Sequence, residues 1–199
     1  MRQRGLRLWH WLVGAALVLA SGAGGAFYAF KSVNLNAHSR SAILNHGWRA
    51  DRTFAAASAS PYTRAYLAVV GLLGLPRSEA IYFFRDKADG GETLESDAVY
   101  EITGRDMPGR WWSLTLYDAD QFLTPNRYNR YSVRSSDLKR EPDGSFRIRL
   151  SRDPQPGNWI PMGDGHNMSL LLRVYNPEPG LDARLDSIAL PTLRKVEGQ

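Results

Sequence analysis

The chain has 199 residues, 43% apolar and 23% charged, with no cysteine and a formal charge of +5. That length suits one domain with a real core plus an appendage, and the lack of cysteine excludes disulfides, thiolate nucleophiles and sulfur-ligated metals. The charge does not mark a nucleic-acid binder: Arg2, Arg4 and Arg7 precede residue 31 without an acid, the rest carries 22 basic against 20 acidic side chains, and no five like charges run together.

Between Arg7 and Lys31 lie 23 residues without a formal charge. As a helix they would extend about 34 Å, enough to cross a bilayer. Trp9 and Trp11 stand near one end, Phe27 and Tyr28 near the other, as aromatic belts do at two interfaces. Three arginines before the segment and one lysine after it place the N-terminus in the cytoplasm. A cleavable signal peptide is the competing reading, with an apolar Trp11–Ala20 core and small residues at Ser21-Gly22-Ala23. Both readings export the remainder. The expected organisation is a cytoplasmic tip and anchor (or signal peptide) over 1–31, a stalk and first strand over 32–60, and a β domain with its own N-terminal helix over 61–199.

The polar, alanine-rich 31–60 stretch reads as a stalk leading into a strand near Trp48–Phe54. Pro61 suits a helix start, Tyr66–Leu75 its buried apolar part, and Gly74 with Pro76 its end. From residue 79 the pattern changes to β-like runs: AIYFF (80–84), AVYEIT (98–103), WWSLTLY (111–117), RYSV (130–133), FRIRL (146–150) and MSLLLRVY (168–175). The intervening ADGG, DMPG, EPDG and PGNWIP carry the glycine or proline that a reversal needs. The gaps hold no crossover helices, so the expected fold is mainly β: an antiparallel sandwich or jelly roll with one accessory helix behind a transmembrane helix.

Strand side chains alternate faces. Trp112, Leu114 and Leu116 therefore share a core face, and Trp111, Ser113, Thr115 and Tyr117 share the other. That second row is aromatic and hydroxylated. It can stack on a sugar ring or apolar ligand, or lie beneath another segment of the chain. In RYSV, Tyr131 and Val133 are expected on one side, Arg130 and Ser132 on the other. In MSLLLRVY, Met168, Leu170, Leu172 and Val174 form a core row, while Ser169, Leu171, Arg173 and Tyr175 face away. Arg130 and Arg173 then meet either an anionic ligand or Asp118 and Asp120.

WWSLTLYDADQFL, N-x-x-NRYS, PDGSFRI, NWIP and LLLRVYNP, in that order, resemble the family catalogued as domain of unknown function 1214. The upstream PYTRAYLAVVGLLGLPRSEAIYF resembles its short, membrane-anchored members. The likeness covers about residues 45–196. It implies a mostly β domain of a kind often found in bacterial envelope proteins; with the N-terminal segment and its flanking charges, the expected location is the bacterial inner membrane, single-pass, with the C-terminal domain in the periplasm. It implies no established reaction.

His10, His38, His46 and His166 show neither HxH nor HExxH spacing, so no zinc site is expected. Asp118 with Asp120, and Asp164 with Asn167, offer hard oxygens for Ca²⁺ but fall in turns, where such residues serve local geometry. No GxSxG elbow, P-loop or dinucleotide fingerprint occurs. The chemistry points to no cofactor and no metal. The candidate ligand-binding residues are Trp111, Tyr117, Asp118, Asn126, Arg130, Asn158, Trp159 and Arg173. The expected partners are the membrane, through residues 8–30, a small-molecule, glycan or lipid ligand, and an envelope protein; nucleic acid is not among them. The favoured function is a non-catalytic binding or interaction module on the extracytoplasmic side. The alternative is a hydrolase of an envelope glycan or lipid that uses paired acids or His166.

Overall fold

The computed structural model describes residues 2–36, 42–51, 59, 61–69 and 74–196. It begins with one helix, α1 (Arg2–Asn36), whose apolar stretch Leu8–Ser32 has a mean hydropathy of 1.6 and is not buried against the rest of the protein. By length and composition this helix can cross a membrane. A second helix, α2 (Pro61–Val69), packs beside it. The remainder of the apolar run expected in that helix, residues 70–73, lies outside the described residues.

The body is a sandwich of two sheets, as expected. The larger uses β1 (Ala42–Asn45), β2 (Trp48–Asp51), β3 (Ala80–Arg85), β5 (Gly109–Tyr117), β6 (Ser132–Arg134) and β9 (Ser169–Pro177), in the order β1-β2-β3-β9-β5-β6. The smaller uses β4 (Val99–Gly104), β7 (Phe146–Ser151), β8 (Asn158–Pro161) and β10 (Thr192–Val196), in the order β10-β4-β7-β8. The core lies between them. Trp48, Phe83, Trp112, Leu114, Leu170 and Leu172 come from the first sheet, and Tyr100, Ile102, Phe146, Ile148, Leu150 and Leu193 from the second; each is at most 2% exposed. Trp112 and Phe146 join the layers with ring centroids 5.0 Å apart. The two-residue alternation of these strands produces this shared layer.

The structure departs from the sequence reading in four places. The stalk is shorter than expected, because 42–51 already belongs to the large sheet. There the expected strand near Trp48–Phe54 is the second arm of a hairpin, with Ala42 paired to Asp51 and Asn45 to Trp48; residues 52–54 lie outside the described ones. His46 and Gly47 both adopt positive φ, 47° and 79°, the conformation that two-residue hairpin turns require. RYSV shortens to Ser132–Arg134, since Asn126 folds the preceding residues into a turn. NWIP is a buried strand and not a turn, and it pairs in parallel with β7, Ile148 opposite Asn158 and Leu150 opposite Ile160. The sandwich is therefore mixed and not wholly antiparallel.

One buried cation locks the hairpin to the rest. Arg85 is 1% exposed. Its guanidinium donates to the Lys87 carbonyl at 2.7 Å, the His46 carbonyl at 3.0 Å and Asp89 Oδ1 at 2.5 Å. It also lies over the Trp48 ring. Asp89 in turn accepts the Leu193 amide through Oδ2, so β1, β2, β3 and β10 meet at one charge pair. A Cβ at Gly47 would fall 3.0 Å from the Arg85 guanidinium carbon, which is why glycine stands in that turn.

Candidate functional site

The outward face of the large sheet repeats every second residue. Tyr82 on β3 pairs with Arg173 on β9, which pairs with Ser113 on β5. The next row toward the start of β5 is Ala80, Tyr175 and Trp111. In the opposite direction come Phe84, Leu171 and Thr115, then Ser169 and Tyr117. Ala80, Tyr82 and Leu171 form a small second apolar cluster with Phe84, Tyr117 and Tyr175 packed against it. The Trp111 and Tyr175 rings meet at 5.1 Å between centroids.

Arg173 stands half-buried in the middle of this aromatic ground. It donates to Thr115 Oγ1 at 3.1 Å and to the Tyr117 hydroxyl at 2.5 Å, and its guanidinium lies 5.6 Å from the Tyr117 ring centroid. All of these partners are uncharged. Among the described residues Arg173 forms no ion pair, with Asp118, Asp120 or any other acid. Residues 52–78 contain no aspartate or glutamate, and Asp51 stands two strands away in the same row, beyond Tyr82. The Ser113 hydroxyl, 6% exposed and directly opposite Arg173, has no hydrogen-bond partner among the described residues. Burial pushes the Tyr82 phenol above its ordinary pKa, against the hydrogen bond it accepts from the Leu75 amide at 2.9 Å. The face is thus a semi-enclosed shelf: Ser113, Thr115, Tyr82 and Leu171 are buried, while Trp111, Tyr117, Arg173 and Tyr175 are half-buried at the surface. A depression of about 390 Å³ opens beside Trp111, bordered by Met107, Arg110, Ser135 and the Asp106–Arg140 ion pair.

Three of the eight expected site residues, Trp111, Tyr117 and Arg173, come together here. The other five do not join them. Asp118 closes the turn after β5, its Oδ1 accepting the Asp120 and Phe122 amides at 3.0 and 2.8 Å. Asn126 locks the following loop: its Oδ1 accepts from Tyr128 and Arg130, and its amide donates to the Thr124 and Arg130 carbonyls. Arg130 is exposed at the rim of a separate depression of about 300 Å³ with Asn129, Tyr131 and Arg134. Asn158 and Trp159 belong to β8, in the other sheet. The Asn158 carboxamide holds the Lys139 amide and carbonyl and the Arg147 carbonyl. Trp159 is buried, donates to Ser151 and meets Tyr128 edge-on at 4.8 Å. Tyr82 is the member the sequence reading missed, although Ala80, Tyr82 and Phe84 alternate within AIYFF.

His166, the imidazole considered for hydrolysis, pairs with Glu95 at 3.2 Å on an exposed loop. Burial acts to raise the Glu95 pKa, but hydrogen bonds from Asn167, Thr93 and His166 outweigh it and hold the carboxyl below its ordinary value. A depressed carboxylate beside a solvent-exposed histidine is a loop clasp by geometry.

The family described as protein of unknown function (DUF1214) matches residues 79–179. Among solved structures, the chain is similar to the VPA0106 protein from Vibrio parahaemolyticus, with 21% identity and a TM-score of 0.60 over 88% of this chain and 43% of that one. A protein from Burkholderia cenocepacia, itself uncharacterised, gives 22% identity and a TM-score of 0.43 over 63% of this chain and 32% of that one. This chain thus spans less than half the length of either, and at such identity the first likeness speaks to the fold alone. No curated protein matches. With half of its length under the family match, the chain belongs to the DUF1214 family.

Proposed function

We propose that this protein is a membrane-anchored, non-catalytic binding module whose β body lies on the extracytoplasmic side. Its outer sheet face takes a small ligand that combines an anionic group with an apolar or ring-shaped body. The anion sits on Arg173, with Ser113, Thr115 and Tyr117 as neighbouring hydroxyls, and the apolar part stacks on Trp111 and Tyr175. The observation that carries this reading is the charge at Arg173. Taking a guanidinium out of water is offset by a negative partner, and this half-buried one has only uncharged oxygens and a ring face among the described residues. Aromatic rings beside a cation supply both stacking area and a site for a planar anion. The single-pass orientation is supported by the three arginines before the apolar helix.

The test uses the full chain in an uncharged detergent, titrated calorimetrically with 2-naphthalenesulfonate and with the neutral 2-naphthalenemethanol. The sulfonate is expected to bind more tightly than the alcohol, and Arg173→Gln to remove that preference while leaving the far-UV circular dichroism unchanged. Equal binding of both probes, or a sulfonate preference that survives Arg173→Gln, overturns the reading.

A further inference from the structure

The pairing registers fix which end of the outer face lies toward the anchor. Residues 37–41 are all that separates α1 from β1, and whatever their conformation they cannot span more than about 20 Å. β1 enters the sheet at Ala42, opposite Asp51 at the exit of β2. Carried across the antiparallel ladders, that end of the sheet holds the start of β3, the end of β9 and the start of β5. These are the positions of Ala80, Tyr175 and Trp111. α2 follows β2 from this end and packs beside α1. Leu75, which caps Tyr82 through its amide, is itself exposed there, as is Tyr62 on α2. The aromatic and apolar end of the shelf therefore lies on the membrane side. Arg173 stands one outward-facing row, about 7 Å along the strand, farther from the bilayer.

That polarity is the polarity of an amphiphile partly withdrawn from the outer face of the membrane: headgroup up, acyl chain down. We infer that the ligand of this site is an anionic phospholipid of the same bilayer, its phosphate on Arg173 and its chain leaving past Trp111 and Tyr175. The inference rests on the binding reading above and goes further by naming the ligand class and its source. Two features converge on it. The cation lacks a carboxylate partner among the described residues, which favours an anion over a neutral lipid. The segment between Asp51 and Glu79 carries arginines at 52, 64 and 77 and no acid, so no negative side chain from it repels a phosphate.

The experiment reconstitutes the full chain in nanodiscs of phosphatidylcholine containing one-fifth phosphatidylglycerol. The protein is then released in the gas phase and retained lipids are counted by native mass spectrometry. The expected result is one phosphatidylglycerol retained in clear excess over its share of the bilayer. Arg173→Gln should reduce that excess about tenfold, the factor carried by loss of one charge-assisted hydrogen bond, and Arg173→Lys should restore part of it. Trp111→Ala should weaken retention of both lipids alike. Retention in proportion to bilayer composition, or an excess indifferent to Arg173→Gln, overturns the inference. The naphthalenesulfonate titration separates the two failures: sulfonate binding that depends on Arg173 without phosphatidylglycerol retention leaves a site for a soluble anion and removes the lipid. Loss of both removes the site. Unchanged thermal unfolding of each variant shows that the outcomes report on binding and not on folding.

Discussion

The two faces of the large sheet each hold an arginine, Arg85 buried and Arg173 half-buried, and the two are built differently. On the inner face Arg85 has its counterion, two carbonyls and a tryptophan ring, all supplied by the fold itself. On the outer face Arg173 has two hydroxyls, a tyrosine ring and no carboxylate among the described residues. Desolvating a guanidinium costs several kcal/mol unless a partner offsets it. Arg85 meets that demand internally and so reads as a clamp. Arg173 meets it only in part, and what is missing is one negative charge. The two arginines differ in counterion as well as in depth.

Mutation sharpens or breaks this contrast. Arg85→Met should cost the most, about 3 kcal/mol, because it strips Asp89 of its close counterion, leaving Arg194 at 3.8 Å, and removes the side-chain tie from the hairpin turn to β3; denaturant unfolding measures it, and a change below about 1 kcal/mol would mean that Arg85 is not a clamp. Asn158→Ala should follow at about 2 kcal/mol, through three lost hydrogen bonds that tie β7 and β8 to the Lys139 segment. Retained naphthalenesulfonate binding in that variant would place Asn158 with the scaffold.

Asp106→Asn comes next, with a dependence on pH. Arg140 donates to both Asp106 oxygens at 2.7 and 2.9 Å, and Trp112 adds a third hydrogen bond. The Arg140 bonds first, then that of Trp112, hold the Asp106 carboxyl below its ordinary value of 3.8 against some desolvation. A carboxyl whose folded pKa is lowered stabilises the fold fully above its unfolded value and loses that contribution as pH falls through the folded one. The variant should therefore be less stable at pH 7 by about 1 kcal/mol or less, given the exposure of the pair, and should converge with the parent below pH 3.8. A gap that persists in acid would assign the effect to packing. Arg173→Gln should change stability least, within about 0.5 kcal/mol, while abolishing the anion preference. If it destabilises the fold as much as Arg85→Met does, the outer arginine is a second clamp and the contrast fails.

Much of this organisation is visible in the sequence because a strand sorts side chains by twos. The rows Trp112-Leu114-Leu116 and Leu170-Leu172-Val174 are core, and Trp111, Tyr117 and Arg173 share a face, as alternation requires. What alternation cannot supply is the order of strands in a sheet. Asn158 and Trp159 looked like companions of Trp111 on residue type, yet pairing with β7 takes them to the other layer. NWIP was hidden by its flanks: a strand buried at all four positions has no alternation to read, and the glycine and prolines around it signal a turn. The first hairpin was hidden because its turn residue, His46, rarely adopts positive φ and its first arm, AILN, is only four residues long. Arg85 directly follows the apolar run AIYFF, and its burial depends on partners, Asp89 and His46, that the run itself does not contain.

The parallel contact between β7 and β8 also bears on how the body assembles. Parallel neighbours usually need a connection of a dozen or more residues, whereas only residues 152–157 lie between these two strands. Closing so short a loop loses little chain entropy. By contrast, the β3–β9 ladder joins Ala80 to Tyr175 and the β10–β4 ladder joins Thr192 to Thr103. Local contacts carry a smaller closure cost than distant ones, so we expect the β1–β2 hairpin and the β7–β8 corner to form early and the seams around β9 and β10 to close late. The outer shelf exists only once β3, β9 and β5 are side by side, which makes the proposed lipid seat one of the final features of the fold to mature.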